Sequence, residues 1–413
     1  MPSTWPSIRL GNHVDLITGF PFKSKRFTSG SGDIHLVKGE NLQQGYIDWG
    51  ASKKWPSSEL KGHEKFLLQP GDVVLAMDRP WVPAGLKHAR IRKGDPISLL
   101  VQRVARIRGS NGLLTSYLQY VIASPRFTDY IKPIVTGVNV PHISAKQIGD
   151  FTFLLPPEHT QKKIVNTISP YDDLITNNTR RIHLLEQLAK LSYDEWFVKF
   201  KFPGHEKVRM VSSELGEIPE GWEVKKLADL VEFRKGKQAK RVFEDQIGGS
   251  FPYLLIDGIR TGSHRYTDEK GIYAQRNNVI MVMDGASSGA VFIGQEGYVG
   301  STLALIDIKD NSISPYFVLE FLISNFDRIS SNNTGAAIPH ASKDFINGLD
   351  VVIPKPVVRE ELFKIFDVLF GLKVNLELKN VNLRKSRDLL LPKLISGEID
   401  VSNLDIKGPE VEM

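Results

Sequence analysis

The chain is written twice, and that constrains its fold more than any other feature. TGVNVPHIS at 136–144 returns as TGAAIPHAS at 334–342, with five of nine positions identical. The period is roughly 200 residues, far longer than that of a solenoid repeat, so each copy must be a domain in its own right. The order of features is kept around this block. Trp5 opens WPSIRLGNHVDLITG and Trp222 opens WEVKKLADLVEFRKG. A basic loop follows each, then a segment read as an apolar strand, LVKGENL (36–42) and LLIDGIR (254–260). QPGDVVLAMD (69–78) and QRNNVIMVMD (275–284) both end in Met-Asp. After the Pro-His block come FTFLLPP (151–157) and LDVVIPKP (349–356), and each copy then passes into a long helical pattern. Duplication followed by divergence implies two similar tasks performed at two places.

Within each copy, short apolar runs separated by Gly, Pro, Asn and Asp read as mostly strand with a few helices. The clearest helix is LTSYLQYVIASPRF (114–127), matched by SPYFVLEFLISNF (314–326), with apolar residues at three- and four-residue steps and Ser as N-cap. The chain has 413 residues, 41% of them apolar, which is room for two to four domains with real cores. Cysteine is absent, which excludes disulfides and thiolate metal sites. No run approaches the length of a membrane span, and the N-terminus has no apolar signal-like core. A cytoplasmic protein without membrane association is expected.

The two long patterns carry a coiled-coil signature. In the first, Ile164, Ile168, Tyr171, Ile175, Asn178, Ile182, Leu185, Ala189, Ser192 and Trp196 alternate steps of four and three. In the second, the same register falls on Ile365, Leu369, Leu372, Leu376, Lys379, Leu383, Ser386 and Leu390. Pro157 and Pro356 precede the helices; Pro203–Gly204 and Gly397 are read as their ends. Asn178 and Lys379 are the polar interruptions near each centre and are expected to meet if the helices pair antiparallel. That arrangement would set the two globular copies at opposite ends of arms about 60 Å long, at 1.5 Å per residue. Such a separation suits two contacts on a duplex one or two turns apart, at ~34 Å per turn. An internal scaffold or a homodimer interface is the competing reading of the same seam.

The formal net charge is +6 and the pI about 9.1, a modest bias toward a polyanionic partner. Its location says more. RKGKQAKR (234–241) holds Arg234, Lys235, Lys237, Lys240 and Arg241, and the first copy has Lys23, Lys25 and Arg26 among Phe20, Phe22 and Phe27. Both are basic loops able to follow phosphates, or else solvated surface. Arg79 in MDRPW, and Arg260, His264 and Arg265 in GIRTGSHRY, are further candidates for contact with base edges. His142 and His340 recur in both copies, which favours a structural turn or a shared backbone contact over sequence reading.

Motifs for chemistry are missing. There is no phosphate-binding GxxxxGK[ST] loop, no GxGxxG after a strand, no NPP-aromatic tetrad and no HExxH. Glu223-Val224-Lys225 fits half of a nuclease pattern but lacks the upstream acid. Asp78 and Asp284 recur after Met as lone carboxylates, better suited to turn capping than to catalysis. Binding is the expected function.

The duplicated order, from IPEGWEVKKL (218–227) through TG…IPH.S (334–342) and a proline-ended strand into a heptad helix, resembles the specificity subunits of Type I restriction-modification systems. LLEQLAKLSYDEWFVKF (184–200) and LRKSRDLLLPKLISGEIDV (383–401) look like that family's helix-ending segments. The first copy departs in having MPST where the second has IPEG. The resemblance implies an α+β chain of two target recognition domains, mostly β or mixed, separated by two long antiparallel coiled-coil helices. The boundaries would be domain 1 at 1–157, first helix at 158–203, domain 2 at 204–357, second helix at 358–400 and a tail at 401–413. It further implies a non-catalytic subunit that reads a split target in double-stranded DNA. Two methyltransferase subunits would dock on it, and motor-nuclease restriction subunits could join. S-adenosylmethionine, ATP and Mg would then be needed only in those partners, with no cofactor or metal in this chain. A protein scaffold that never touches DNA, or a stand-alone DNA-modifying enzyme, are the alternatives.

Overall fold

The computed structural model describes residues 5–82, 85–134, 141–262, 264–335 and 338–406. The segment 136–140 of the first Pro-His block and Ala336–Ala337 of the second lie outside these residues. The architecture is α+β, and the duplication extends to strand order. One four-stranded antiparallel sheet runs Val14–Thr18, Val104–Gly109, Val73–Ala76, His88–Arg90; its counterpart runs Val231–Lys235, Leu303–Ile308, Val279–Val282, Val291–Phe292. The strands VVLA and VIMV are apolar at every position because they are covered on both faces, and all their residues are buried. A mixed sheet accompanies each. Ile34–Val37 pairs in parallel with Ser98–Leu100, as Phe251–Leu254 does with Gly297–Val299. A two-stranded ladder closes each copy, Ser7–Arg9 with Thr152–Leu154 and Glu223–Lys226 with Asp350–Ile353, and in the second copy the hairpin Met210–Ser213/Gly216–Pro219 precedes it.

Two local expectations need correction. LLIDGIR is not one strand: the strand Phe251–Leu254 gives way to a helix, Ile256–Thr261, which ends at Gly262 with φ 73°. Ile256 and Ile259 stand one helical turn apart and pack on the same cluster, a periodicity that a strand could not satisfy. The helix over 114–127 is two, Thr115–Ala123 and Pro125–Ile134. The break falls at Ser124 (φ −70°, ψ 148°) because a residue preceding proline is driven out of the helical region.

The chain divides into two compact units, residues 1–175 with 381–413, and residues 176–380. Each unit takes in a stretch of both long helices. The first arm, Glu158–Tyr193, ends in a π-turn, Asp194–Val198, well short of Pro203. Phe197 is the cause: it turns into an aromatic cluster with Tyr193, Trp222 and Phe317 at centroid distances of 5.3, 5.9 and 4.8 Å. The second arm, Pro356–Ser396, stops at Gly397, whose φ of 73° suits glycine.

The seam of the second arm also differs from expectation. Leu369 and Leu376 are buried as expected, and Leu383 and Leu390 are half-buried. Between them lie Phe366, Lys373, Asn380 and Arg387, not Ile365, Leu372, Lys379 and Ser386. Ile365 and Leu372 are 41% and 46% exposed, and Lys379 and Ser386 are exposed too. Steps of three and four through the same leucines can be completed from either side. Ile365 and Leu372 face solvent; Phe366 packs against Trp196 and Phe197 instead, and Lys373, Asn380 and Arg387 are met by polar partners. In the second unit, Lys373 pairs with Glu186 at 2.9 Å, and Asn178 Nδ2 donates to Asn380 Oδ1 at 2.9 Å. Asn380 Nδ2 in turn reaches Thr179 Oγ1 at 3.3 Å. In the first unit, Arg387 pairs with Asp172 at 2.8 Å. Within each unit the arm stretches therefore run antiparallel. On the first arm, Ile164, Ile168 and Asn178 are buried, while Tyr171, Ile175, Ile182 and Leu185 are half-buried.

The same helix of each globular half faces this seam. In the first unit Tyr120 donates to Asp172 at 2.9 Å. In the second, Glu320 is 4% exposed and its pKa is pushed up to about 7, by burial first and then by the charge of Asp194. Its folded pKa lies above the ordinary carboxylate value, so the folded state holds the proton more tightly. Stability is full below about pH 4.5 and falls as pH rises toward 7. Glu320→Gln should flatten that decline, by on the order of 1–3 kcal/mol at pH 8 in denaturant titrations, whereas parallel pH curves for the two proteins would contradict it. For the central polar pair, Asn380→Leu alone should cost about 1–3 kcal/mol by stranding Asn178. Adding Asn178→Leu should recover or exceed the parental melting temperature; a double variant no more stable than the single would contradict this.

Candidate nucleic-acid interface

The basic loops leave the sheets by a shared device. Gly19 and Gly236 end the first strand of each main sheet, and a Cβ on either would collide with a backbone carbonyl, of Val101 in one and of Gly300 and Val299 in the other. Only glycine lets the chain pass so closely; the basic residues flank Gly236 directly and begin four residues after Gly19. Arg234 and Lys235 belong to the end of the strand itself, Val231–Lys235, while Lys237, Lys240 and Arg241 lie in the loop beyond; all five are exposed. Arg234 pairs with Asp307 at 3.0 Å and Arg241 with Asp268 at 3.0 Å. The backbone N–H groups of Lys240 and Arg241 both donate to Glu269 Oε1, which fixes the loop and holds that carboxyl below its ordinary range. Lys237 and Lys240 make no direct ion pair among the described residues.

In the first unit Lys23, Lys25 and Arg26 are exposed on the turn Ser24–Arg26 and its flank. Arg26 pairs with Glu59 and lies over the Trp55 ring at 5.4 Å. Phe22 fills the core beneath, and Phe20 and Phe27 pack against it. The interleaved aromatics thus anchor the loop instead of offering stacking surface.

The structure also builds a corner that the sequence reading left in pieces. Asp78 and His142 face each other across a β-bridge, as do Asp284 and His340. In both, the imidazole Nδ1 lies 2.7 Å from the carboxylate Oδ1, so the ring must donate. These carboxylates hold histidines; they do not cap turns. Each corner has a cation drawn from a different place in the fold. Arg103, in the turn before Val104–Gly109, lies 3.6 Å from Asp78 and 3.5 Å from His142 Nδ1. Lys235, ending Val231–Lys235, lies 2.9 Å from Asp284 Oδ2. Burial opposes the charge on Asp284, yet His340 and Lys235 together hold its carboxyl below the usual range.

Arg79 follows Asp78 with a left-handed φ of 44°, and Arg103 has φ 68°. A side chain costs about 1–2 kcal/mol in that region, and the second copy avoids the cost by placing Gly285 after Asp284. Arg260 donates to Ser287 Oγ, three residues after Asp284 in the chain, at 2.6 Å. The structure thus joins Lys235 to the Asp284–His340 pair in one copy and Arg103 to the Asp78–His142 pair in the other, while Arg79 is only the chain neighbour of Asp78 and Arg260 is held by Ser287. His264 stands apart. Its Nδ1 is buried without a partner among the described residues, and burial lowers its pKa, which favours the uncharged ring. Arg265 is exposed and pairs with Glu244 at 3.3 Å. Arg103 was missed because its role comes from a turn conformation that no local motif signals.

Comparison with known proteins bears on what these corners serve. The sequence profile of the Type I restriction modification DNA specificity domain matches residues 2–187 and 219–382. The Type I restriction enzyme MjaIX specificity subunit of Methanocaldococcus jannaschii is 26% identical over 311 residues, 71% of each chain. The HindI specificity subunit of Haemophilus influenzae is 21% identical over 417 residues, covering 83% of this chain and 89% of that one. The crystal structure of the Type I restriction-modification S subunit from M. genitalium shares the fold, with a TM-score of 0.57, 17% identity and coverage of 95% and 96%.

If the loop at 234–241 follows phosphates, replacing Lys237 and Lys240 with Ala should weaken duplex binding whatever the sequence. It should also reduce the slope of log affinity against log salt by about two. An unchanged slope would remove the loop from the contact surface.

Proposed function

Because this chain belongs to the Type I restriction-modification DNA specificity family, we propose that it reads a split target in double-stranded DNA, one half-site per globular copy, and sets the gap between half-sites with its paired arms. The observation that carries this reading is one fold present twice. Both copies keep strand order and Asp–His corner, yet differ in their exposed cations: Arg79 and Arg103 in one, Lys235 and Arg260 in the other. A shared frame with unlike edges suits two readers of unlike half-sites.

Chemistry in this proposal belongs to partner subunits, a methyltransferase pair using S-adenosylmethionine and restriction subunits using ATP and Mg. The arms support a docking role. Leu184, Leu188 and Leu191 lie outward on the first arm, and Ile365, Val368 and Leu372 on the second, all 41–61% exposed. Apolar side chains at three- and four-residue steps, left outside an already paired seam, suit further helices packing against them. Among the described residues, no helix is long and apolar enough to cross a membrane.

The ruler is testable by shortening both arms together. Removing residues 173–179 and 380–386 takes one heptad from each and leaves Asp172–Arg387 and Glu186–Lys373 as flanking pairs. The arms lose about 10 Å at 1.5 Å per residue, the length of about three base pairs. Duplexes selected from a random pool by the complete complex should then share the same half-sites with a gap shorter by about three. An unchanged gap would contradict the ruler.

A further inference from the structure

We propose that one face of the mixed sheet in the second globular copy, carrying Phe251, Tyr273 and Tyr298, is a stacking platform for an unpaired DNA base. The inference rests on the DNA-reading function proposed above and deepens it, since it gives the second copy a contact with a nucleotide outside the double helix.

The two copies treat the same face in opposite ways. Tyr253 lies beside Tyr298 in the parallel strand pair, as Leu36 lies beside Leu99 in its counterpart. Tyr273 pairs with Tyr298 from the next strand, as Leu67 bridges to Leu99. Phe251, two residues before Tyr253, therefore stands where the first copy has Ile34, two before Leu36, on the same face. In the first copy that face is filled from within. Ile34, Leu36 and Leu99 are 6%, 0% and 0% exposed. Trp55 lies across from Ile34, Phe22 packs on Trp55 at 4.8 Å between centroids, and Phe20 on Phe22 at 5.0 Å. Phe20 and Phe22 stand one and three residues after Gly19, where the second copy has Lys237 and Ala239 after Gly236. Without those two rings, Phe251 is left 44% exposed and Tyr273 and Tyr298 half-buried. The three pack edge to face, with centroids 5.9, 5.7 and 5.2 Å apart.

What lies around the rings decides the occupant. The basic loop borders this face, because Tyr253 donates its hydroxyl to the Lys237 carbonyl at 3.1 Å and accepts from the Ala239 N–H at 3.1 Å. The platform thus continues the candidate nucleic-acid interface. Arg241, Arg265 and Arg276 are paired with Asp268, Glu244 and Glu296. Lys237, Lys240 and Lys270 are exposed and make no direct ion pair among the described residues. Exposed rings bordered by unpaired lysines suit a ligand that is flat and apolar at one end and anionic at the other, a nucleotide with its base on the rings and its phosphates toward the lysines. A base inside an intact duplex offers only its edge, since its faces are covered by its neighbours. The base that stacks here is one that has left the helix or has no partner strand.

The test sets the full chain against a mixed-sequence single strand carrying one fluorescent adenine analogue, and against the duplex of the same sequence. Wild type should bind the strand and quench the analogue. Phe251→Leu, which keeps apolar bulk without a ring, should bind the strand about 5- to 100-fold more weakly and lose the quench, with duplex affinity and the salt slope unchanged. A folded Leu variant, by thermal melting, that binds and quenches like wild type overturns the proposal. So does an equal loss on strand and duplex, because the ring would then be packing on the backbone. Should the Leu variant not fold, Phe251→Trp decides: it should bind the strand at least as tightly as wild type, and its added indole fluorescence should be quenched on binding; an unquenched indole overturns the proposal. Wild type that binds duplex but not the single strand overturns this inference alone, whereas wild type that binds neither takes the proposed function with it.

Discussion

Charged and polar side chains in a helix seam allow only one register, and the account of this chain rests on that. Lys373, Asn380 and Arg387 succeed one another at seven-residue steps on the second arm, and Asp172, Thr179 and Glu186 do so on the first. Each is met in its own unit, by Lys373–Glu186, by Asn380 with Asn178 and Thr179, and by Arg387–Asp172. A slip of one heptad would leave Lys373 facing Thr179 and Asn380 facing Asp172. An unmatched buried polar group costs about 1–3 kcal/mol, more if charged, so several together make the slipped state inaccessible. An all-leucine seam would hold the helices more tightly and let them slide.

Each globular half grips the seam from the same helix but with different chemistry. Tyr120 donates to Asp172, whereas Glu320, four residues before Ser324 just as Tyr120 stands four before Ser124, meets a field of arm charges led by Asp194. Similar divergence on a fixed frame recurs at the other edge. Gly19 and Gly236 hold the same backbone approach, and both Asp–His pairs keep their geometry. Arg79 stands where the other copy has Gly285, and the balancing cation has moved from one strand end to another. Divergence of this kind lets one domain be reused for a second target.

Much of the frame was legible because duplication checks itself. Where Trp5, the Met-Asp strand and the Pro-His block recur in order, a doubtful element in one copy is supported by the other. The seam of the second arm was not legible by the same means. Ile365 and Leu372 satisfy a heptad pattern better than Phe366 and Lys373 do, and only the partner helix decides between them. The Asp–His corner failed for a related reason. Asp78 and His142 are 64 residues apart, and nothing local to either indicates that a β-bridge will bring them together. LLIDGIR misled because a four-residue strand running into a six-residue helix is too short for either period to show.

The most direct test of the central claim, that two readers act on one DNA at a set separation, is sequencing of modified bases across the genome of a host carrying this gene and of the same host without it. The account predicts adenine methylation that depends on the gene and falls on a motif of two short specified segments, separated by an unspecified gap of one constant length. A contiguous motif, a gap of variable length or no gene-dependent methylation would contradict it.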